Sequence, residues 1–456
     1  MLTRRQIIAA LTGAAAAATL APRVFAAPLA KVASADMRGA IDAVAFKATP
    51  DATDNGSRKL QAMIDAAARD KAPVFLPPGT YTVSNLTLPD NTRLIGVPGA
   101  TRIVYGGDGH LMAATGAKRI QLTDLVIDGA NRWLADYASA LLQFSAVGEV
   151  LLDNCEIAGS RKHALQLERS GGRIERSRIS GAADAGIYAV QSTDLTITGN
   201  RVEDCGNGGI LVHRWEKGED GTIVTGNRIS RIGANDGGTG QNGNGVNVFR
   251  ANNVMVNNNH ISDCAFTAVR ANSASNVQIS DNQCLRSGET AIFCEFEFEG
   301  AVVSGNLING AANGISIANF DKGGRLASVT GNVVRNLSLK APYEQDGGFG
   351  IGISAEADTL IASNVIENAP LWGLKLGWGP YLRNVVATGN IIRHSGVGCA
   401  VSVADGAGSA VISDNLFEDA AKGAIVGFLW DKAASADLVT ASSSFRNLTI
   451  ERNRLG

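Results

Sequence analysis

A short phrase, Ile-x-x-Asn-x-(Ile/Val), recurs along most of this chain, and a phrase repeated at that length leaves few folds open. It reads Ile197…Asn200…Val202, then Val224…Asn227…Ile229, Val256…Asn259…Ile261 and Ile279…Asn282…Cys284. It continues through Asn306, Asn332, Asn364, Asn390 and Asn415 to Asn453. Most of these positions lie 22 to 32 residues apart, the length of one coil in a stacked repeat. Extended backwards, the register puts Ser177, Cys155 and Leu125 at the same turn, which gives thirteen turn positions.

A second phrase follows each Asn, usually Gly and then apolar-x-apolar, as in Gly209-Ile210-Leu211-Val212, Gly245-Val246-Asn247-Val248 and Gly314-Ile315-Ser316-Ile317. The interval is ten residues from Asn200 to Ile210, and again from Asn259 to Val269 and from Asn282 to Ile292. The apolar residues alternate with period two, which marks strands with one buried face. No amphipathic helical stretch separates them, so βαβ units are excluded. Short strands that return in register form a solenoid, here an all-β parallel β-helix. Asn suits its turn because it tolerates left-handed backbone, and in register its amides can form a ladder from coil to coil.

Glycine makes up 53 of 456 residues, as a chain that turns every few residues needs, and 45% of residues are hydrophobic. Residues 1–26 read as a signal peptide. Arg4-Arg5 opens it, an apolar run spans Ile7 to Leu20, and Val24-Phe25-Ala26 ends it. The run is too short to cross a bilayer. The paired arginines resemble a twin-arginine export signal. No stable membrane insertion is expected after cleavage, so the mature protein should be periplasmic or secreted. Cleavage removes three arginines and no acids, taking the formal charge from −2 to −5. Nucleic acid is therefore an unsuitable partner. The six cysteines do not read as a disulfide framework. Cys205 and Cys264 hold equivalent places two coils apart, roughly 10 Å at ~4.8 Å per coil, beyond the reach of a disulfide.

Ahead of the repeats, Ser57 to Arg69 reads as an amphipathic helix with Leu60, Ile64 and Ala67 on one face. An open β-helix end exposes apolar side chains and unpaired strand groups, so this helix is the natural cap. Residues 27–110 would form the cap and first strands, and 111–456 the repeats. The helix is followed by Phe75-Leu76-Pro77-Pro78-Gly79-Thr80-Tyr81, Leu94-Ile95-Gly96 and Leu122-Thr123-Asp124-Leu125-Val126-Ile127-Asp128-Gly129. With the Asn repeats, these segments resemble the pectate-lyase-like superfamily of right-handed parallel β-helices. The twin-arginine signal joined to such repeats looks like a family of exported bacterial repeat proteins without an assigned activity. The superfamily resemblance implies a right-handed coil and, commonly, cleavage or epimerisation of acidic polysaccharides. Other members are non-catalytic adhesins or phage spikes. The motifs of polygalacturonases, pectate lyases and mannuronan epimerases are absent, so no catalytic residue carries over.

The ten-residue interval becomes nineteen at Asn227 to Val246 and at Asn332 to Ile351. The insertions lie four coils apart in the same part of the coil, about 19 Å at ~4.8 Å per coil. They can wall a trough. The first holds Asn235, Asp236, Gln241 and Asn242, and the second Tyr343, Glu344, Gln345 and Asp346. Between them run the outward positions Asn247, Phe249, Arg270, Asn272, Phe293, Glu295 and Ser316, with Arg250 just after one strand. His213 lies one coil earlier, beside Arg214 and Trp215. Aromatic faces take pyranose rings, and Asn and Arg bind hydroxyls or carboxylates.

The expected ligand is thus a polysaccharide or glycan, with Asn247, Phe249, Arg250, Asn272, Tyr343 and Asp346 as binding residues. β-Elimination from a uronate needs a neutralised carboxylate and a base for the C5 proton. Arg270 suits the first role, and His213 or Glu295 the second. The expected function is lyase or epimerase action on an acidic polysaccharide. The competing class is a non-catalytic glycan-binding or envelope-structural solenoid. An inverting glycoside hydrolase is a further alternative, because acids alternate in Glu295-Phe296-Glu297-Phe298-Glu299 at ~6.8 Å on an extended strand. No cofactor motif is present. Calcium at Asp236 or Asp346 would be possible, although no ligand spacing marks it. Residues 431–444 read either as a C-terminal cap loop or as a protomer contact.

Overall fold

The computed structural model describes residues 39–456 except 53–54, 319, 344–347 and 442–444. The expected signal peptide therefore lies outside the described residues. The chain winds as a parallel β-helix of three strands per coil. One coil runs Val277–Ser280, Gln283–Leu285, Thr290–Glu295, and the next begins at Glu299–Ser304. First strands stack into a sixteen-stranded sheet. Second and third strands share the other sheet, because Val365–Leu376 and Ile391–Ser402 run continuously through the corner. The ladders are parallel except where Ile425–Leu429 meets Lys432–Asp437.

Alternation decides what faces in. Ile279, Cys284, Ile292 and Cys294 of the coil above are all within 1% of full burial. Such residues join into one column of core running from Ala43 to Leu438. All six cysteines are buried and free. Cys205 and Cys264 both pair with Ile232, one from each side, so they stand two coils apart as the register requires.

The Asn ladder forms. Asn282 Nδ2 donates to Asn306 Oδ1 at 3.0 Å and to Val256 O at 2.9 Å, while its Oδ1 accepts from Asn259 N and Nδ2, both at 3.0 Å. The pattern runs from Asn200 to Asn453. It extends backwards through Ser177, whose Oγ accepts from Cys155 N at 3.0 Å. One expectation is corrected. The left-handed residue is not the Asn but the one before it: Gly226, Asn258, Asp281 and Gly305 all have φ between 54° and 66°. That residue turns the chain, which leaves the Asn side chain directed inward to bond the coils on either side.

The glycine that opens many third strands has a steric cause. A Cβ on Gly314 would sit 2.3 Å from Gly352 O and 2.4 Å from Val334 Cγ1. At the N-terminal end, helix α1 (Ser57–Asp70) buries Leu60, Met63, Ile64 and Ala67 against the first coils. At the other end, residues 432–437 fold back as a strand on the final third strand. No helix among the described residues is long and apolar enough to cross a membrane.

Candidate functional site

Both insertions connect a second strand to a third, so they project from one edge of the third-strand face. A third insertion, residues 129–139, occupies the same corner four coils earlier. The signal in the sequence is the interval from Leu125 to Leu142, seventeen residues where ten is usual. It carries Trp133 and Tyr137, 71% and 66% exposed.

The first insertion, at Gly240, and the described end of the second, at Tyr343, lie against the floor. Backbone at Gly240 lies against Arg270, so that a Cβ there would stand 1.9 Å from Nη1. Tyr343 lies near-parallel to Phe266, with centroids 6.2 Å apart, and edge-on to Phe349 at 5.8 Å. Its hydroxyl donates to Glu289 Oε1 at 3.2 Å. Under this cover Arg270 Nε donates to Glu295 Oε1 at 2.5 Å, and its Nη2 completes the ion pair. Asn272 Nδ2 donates to the same oxygen at 2.8 Å. Asn247 is the neighbour of Arg270 on the preceding coil. Arg270 Nη1, Glu289 Oε2 and Asn247 Oδ1 are buried without hydrogen-bond partners among the described residues.

Arg270 thus pairs directly with Glu295 and acts on the nearby Glu289 through space, in a nearly dry place. Burial pushes the Glu289 carboxyl up to about 7, opposed by Arg270 and by the Tyr343 hydrogen bond, and reinforced by Glu295. Burial also raises Glu295, against the pull of Arg270. The Tyr343 phenol is pushed up to about 12, first by burial and then by Glu289. A carboxyl poised near neutrality beside a cation and a phenol is suited to moving a proton. Sequence reading missed Glu289. It sits in a corner column occupied in neighbouring coils by Asn207, Gly243, Phe266, Ala312 and Gly350. An acid among such residues is the signal that would have found it.

Other expected residues lie apart from this cluster. His213 belongs with Phe249 and Tyr188: ring centroids are 5.6 Å from His213 to Phe249 and 5.5 Å from His213 to Tyr188. Burial pushes its imidazole down to about 4, so it is neutral at pH 7, but it does not reach Arg270. Arg250 stacks on Phe249 at 4.8 Å and donates to Trp215 O at 2.5 Å. Asp346 lies outside the described residues. Asp236 accepts from Asn207 Nδ2 at 2.8 Å, and no group of three or more metal-ligating side chains occurs among the described residues. Acids 295, 297 and 299 do not share an extended strand. Strand Thr290–Glu295 ends there, and Phe296 turns the chain with φ 53°. Glu295 is buried on Arg270, and Glu299 pairs with Arg325 at 2.5 Å. The spacing argument for an inverting pair is lost.

Earlier on the face, between residues 129–139 and 233–243, His163 Nε2 lies 3.2 Å from Asp184 Oδ2, and His163 Nδ1 accepts from Ala185 N at 3.2 Å. Both ring nitrogens are occupied, which fits a positioned imidazole and not a free base.

The description "Right handed beta helix region" matches residues 136–240 and 215–334, and "Rhamnogalacturonase A/epimerase, pectate lyase-like" matches residues 40–109. No curated protein matches the sequence. Among solved structures, the chain is similar to pre-mature gene product 12 of bacteriophage phi29, with TM-score 0.53 and 14% identity over 92% of this chain and 67% of that one. It is also similar to the A-module of mannuronan C-5 epimerase AlgE4 from Azotobacter vinelandii, with TM-score 0.47 and 16% identity over 91% and 99%. A further likeness is to GH136 lacto-N-biosidase from Eubacterium ramulus, with TM-score 0.49 and 13% identity over 67% and 62%. At these identities the likeness is one of fold. By fold, the chain is a pectate-lyase-like, right-handed parallel β-helix.

Proposed function

We propose that the protein acts on an acidic, uronate-containing polysaccharide laid along the third-strand face, as a lyase or epimerase. The observation that carries this reading is the Glu289 carboxyl, raised to about 7 by burial and accepting a hydrogen bond from the Tyr343 hydroxyl. Arg270 would neutralise the sugar carboxylate, which makes the C5 proton acidic. Glu289 would take that proton. In elimination, the electron pair forms the C4–C5 double bond as the C4–oxygen bond breaks, and Tyr343 protonates the leaving oxygen. In epimerisation, water protonates the carbanion on its other face, and Glu289 gives its proton to the hydroxide left behind. Support for a polysaccharide ligand comes from the pectate-lyase-like description matched over residues 40–109 and from the exposed Trp133, Tyr137 and Trp215 on this side of the coil.

A second reading, a non-catalytic glycan-binding solenoid, is favoured by one observation. Glu295 already neutralises Arg270, and Gly240 lies on its Nη1. Incubation with a panel of uronate polysaccharides, with and without calcium, separates the two. The readouts are ultraviolet absorbance of the new double bond and NMR of C5 exchange in D2O. Activity that falls about 100-fold or more in Glu289→Gln and Arg270→Ala is the expected result. Neither product nor exchange on any uronate, with binding retained, leaves the second reading. Export by the twin-arginine route is part of the proposal, and Arg4→Lys with Arg5→Lys should hold the precursor in the cytoplasm. Appearance of the double variant outside the cytoplasm at the normal level would refute that route.

A further inference from the structure

The outward row that carries Arg270 continues through Phe293, Ser316 and Ser354 to Lys375, four coils on and about 19 Å away at ~4.8 Å per coil. Lys375 is half-buried among indoles. Its Nζ lies 4.2 Å from the Trp378 ring centroid and 6.0 Å from that of Trp372. Trp378 in turn meets Trp430 edge-on at 5.6 Å, and Trp372 meets Phe428 at 5.0 Å. Among the described residues, no carboxylate pairs with this ammonium within 4 Å. Burial lowers its pKa, and the more distant Glu356 only partly opposes that. Cation–π contact offsets part of the desolvation but supplies no counter-charge.

The surroundings are built. Gly379 lies beneath Trp430, where a Cβ would come within 2.4 Å of the ring, and Ser402 Oγ donates to Gly379 O at 2.6 Å. The recess over the ammonium, lined by Trp372, Trp378, Ser402, Phe428 and Trp430, holds about 10 Å³. That admits an oxygen atom and not a sugar ring. Trp430 is 46% exposed at its rim.

We propose that Lys375, Trp378 and Trp430 form a subsite for one acidic sugar of a glycan, with the pyranose ring on the open face of Trp430 and a carboxylate oxygen at the Lys375 ammonium. The subsite rests on the reading above that the ligand is an acidic glycan lying along this row. It needs no chemistry at Glu289. Isothermal titration of the whole mature protein with oligogalacturonate and with mannuronate oligomers, against neutral cello-oligosaccharide, tests it. Lys375→Met, close in shape and suited to apolar surroundings, and Trp430→Ala should each weaken acidic oligomers about 10-fold or more. Gly379→Ala, which displaces Trp430, should do the same. Unchanged affinity in Lys375→Met, or an equal loss for the neutral oligomer, overturns the subsite. Turnover of a uronate polymer with KM unaffected by Lys375→Met would also overturn it, while leaving the Glu289 reading standing. Lys375-dependent binding without any turnover would establish the subsite and remove the catalytic reading.

Discussion

At the scale of single residues, Glu289 ties stability to pH. Its folded pKa, about 7, lies above the ordinary 4.5, so the fold disfavours its ionised form. The native state then binds more protons than the unfolded chain between those values, and wild-type stability falls as pH rises from about 4.5 to 7. Glu289→Gln removes that loss. The variant should match wild type near pH 4 and exceed it at pH 8, by at most about 3 kcal/mol, in denaturant titrations. A difference that does not vary with pH would show that Glu289 is not ionised under strain. The same residue marks where sequence reading stopped. Arg270, Asn272 and Glu295 were legible because strand alternation dictates that they face out together. Glu289 lies at a corner, where no period decides direction. The approach of Gly240 to Arg270 depends on loop backbone, which has no pattern to read.

At the scale of the elements, the ladder makes each coil depend on its neighbours. Asn282→Ala would remove four hydrogen bonds made by one side chain and leave the Asn259 backbone N–H unpaired in the core. We expect a loss of about 2–4 kcal/mol by chemical denaturation. Asn282→Ser should lose less, because Ser177 already serves as a rung whose hydroxyl accepts from the coil before. Equal losses would mean that packing, and not hydrogen bonding, sets the cost. The repeat of Asn made this register readable across nearly the whole chain, including the non-Asn rungs Ser177 and Cys155. The insertion at 129–139 escaped for the opposite reason. Leu125 is placed at its turn, but the interval is measured only from Asn positions.

At the scale of the whole molecule, a solenoid is a column whose ends differ from its middle. Helix α1 covers the first coils with Leu60, Met63, Ile64 and Ala67. Leu60→Asp should detach it and expose strand edges and core together. The expected result is concentration-dependent association in light scattering, with the coil ladder still present by circular dichroism. A monomeric Leu60→Asp variant would show that the cap is dispensable for solubility. The three insertions recur at one corner every four coils, and Lys375 lies on the row they flank. Each coil is a complete turn. Gain or loss of a whole coil therefore slides these features along the axis by ~4.8 Å without rotating any of them off the face. The distance between stations is then a length that evolution can reset in integer steps, while the side chains at each station stay the same.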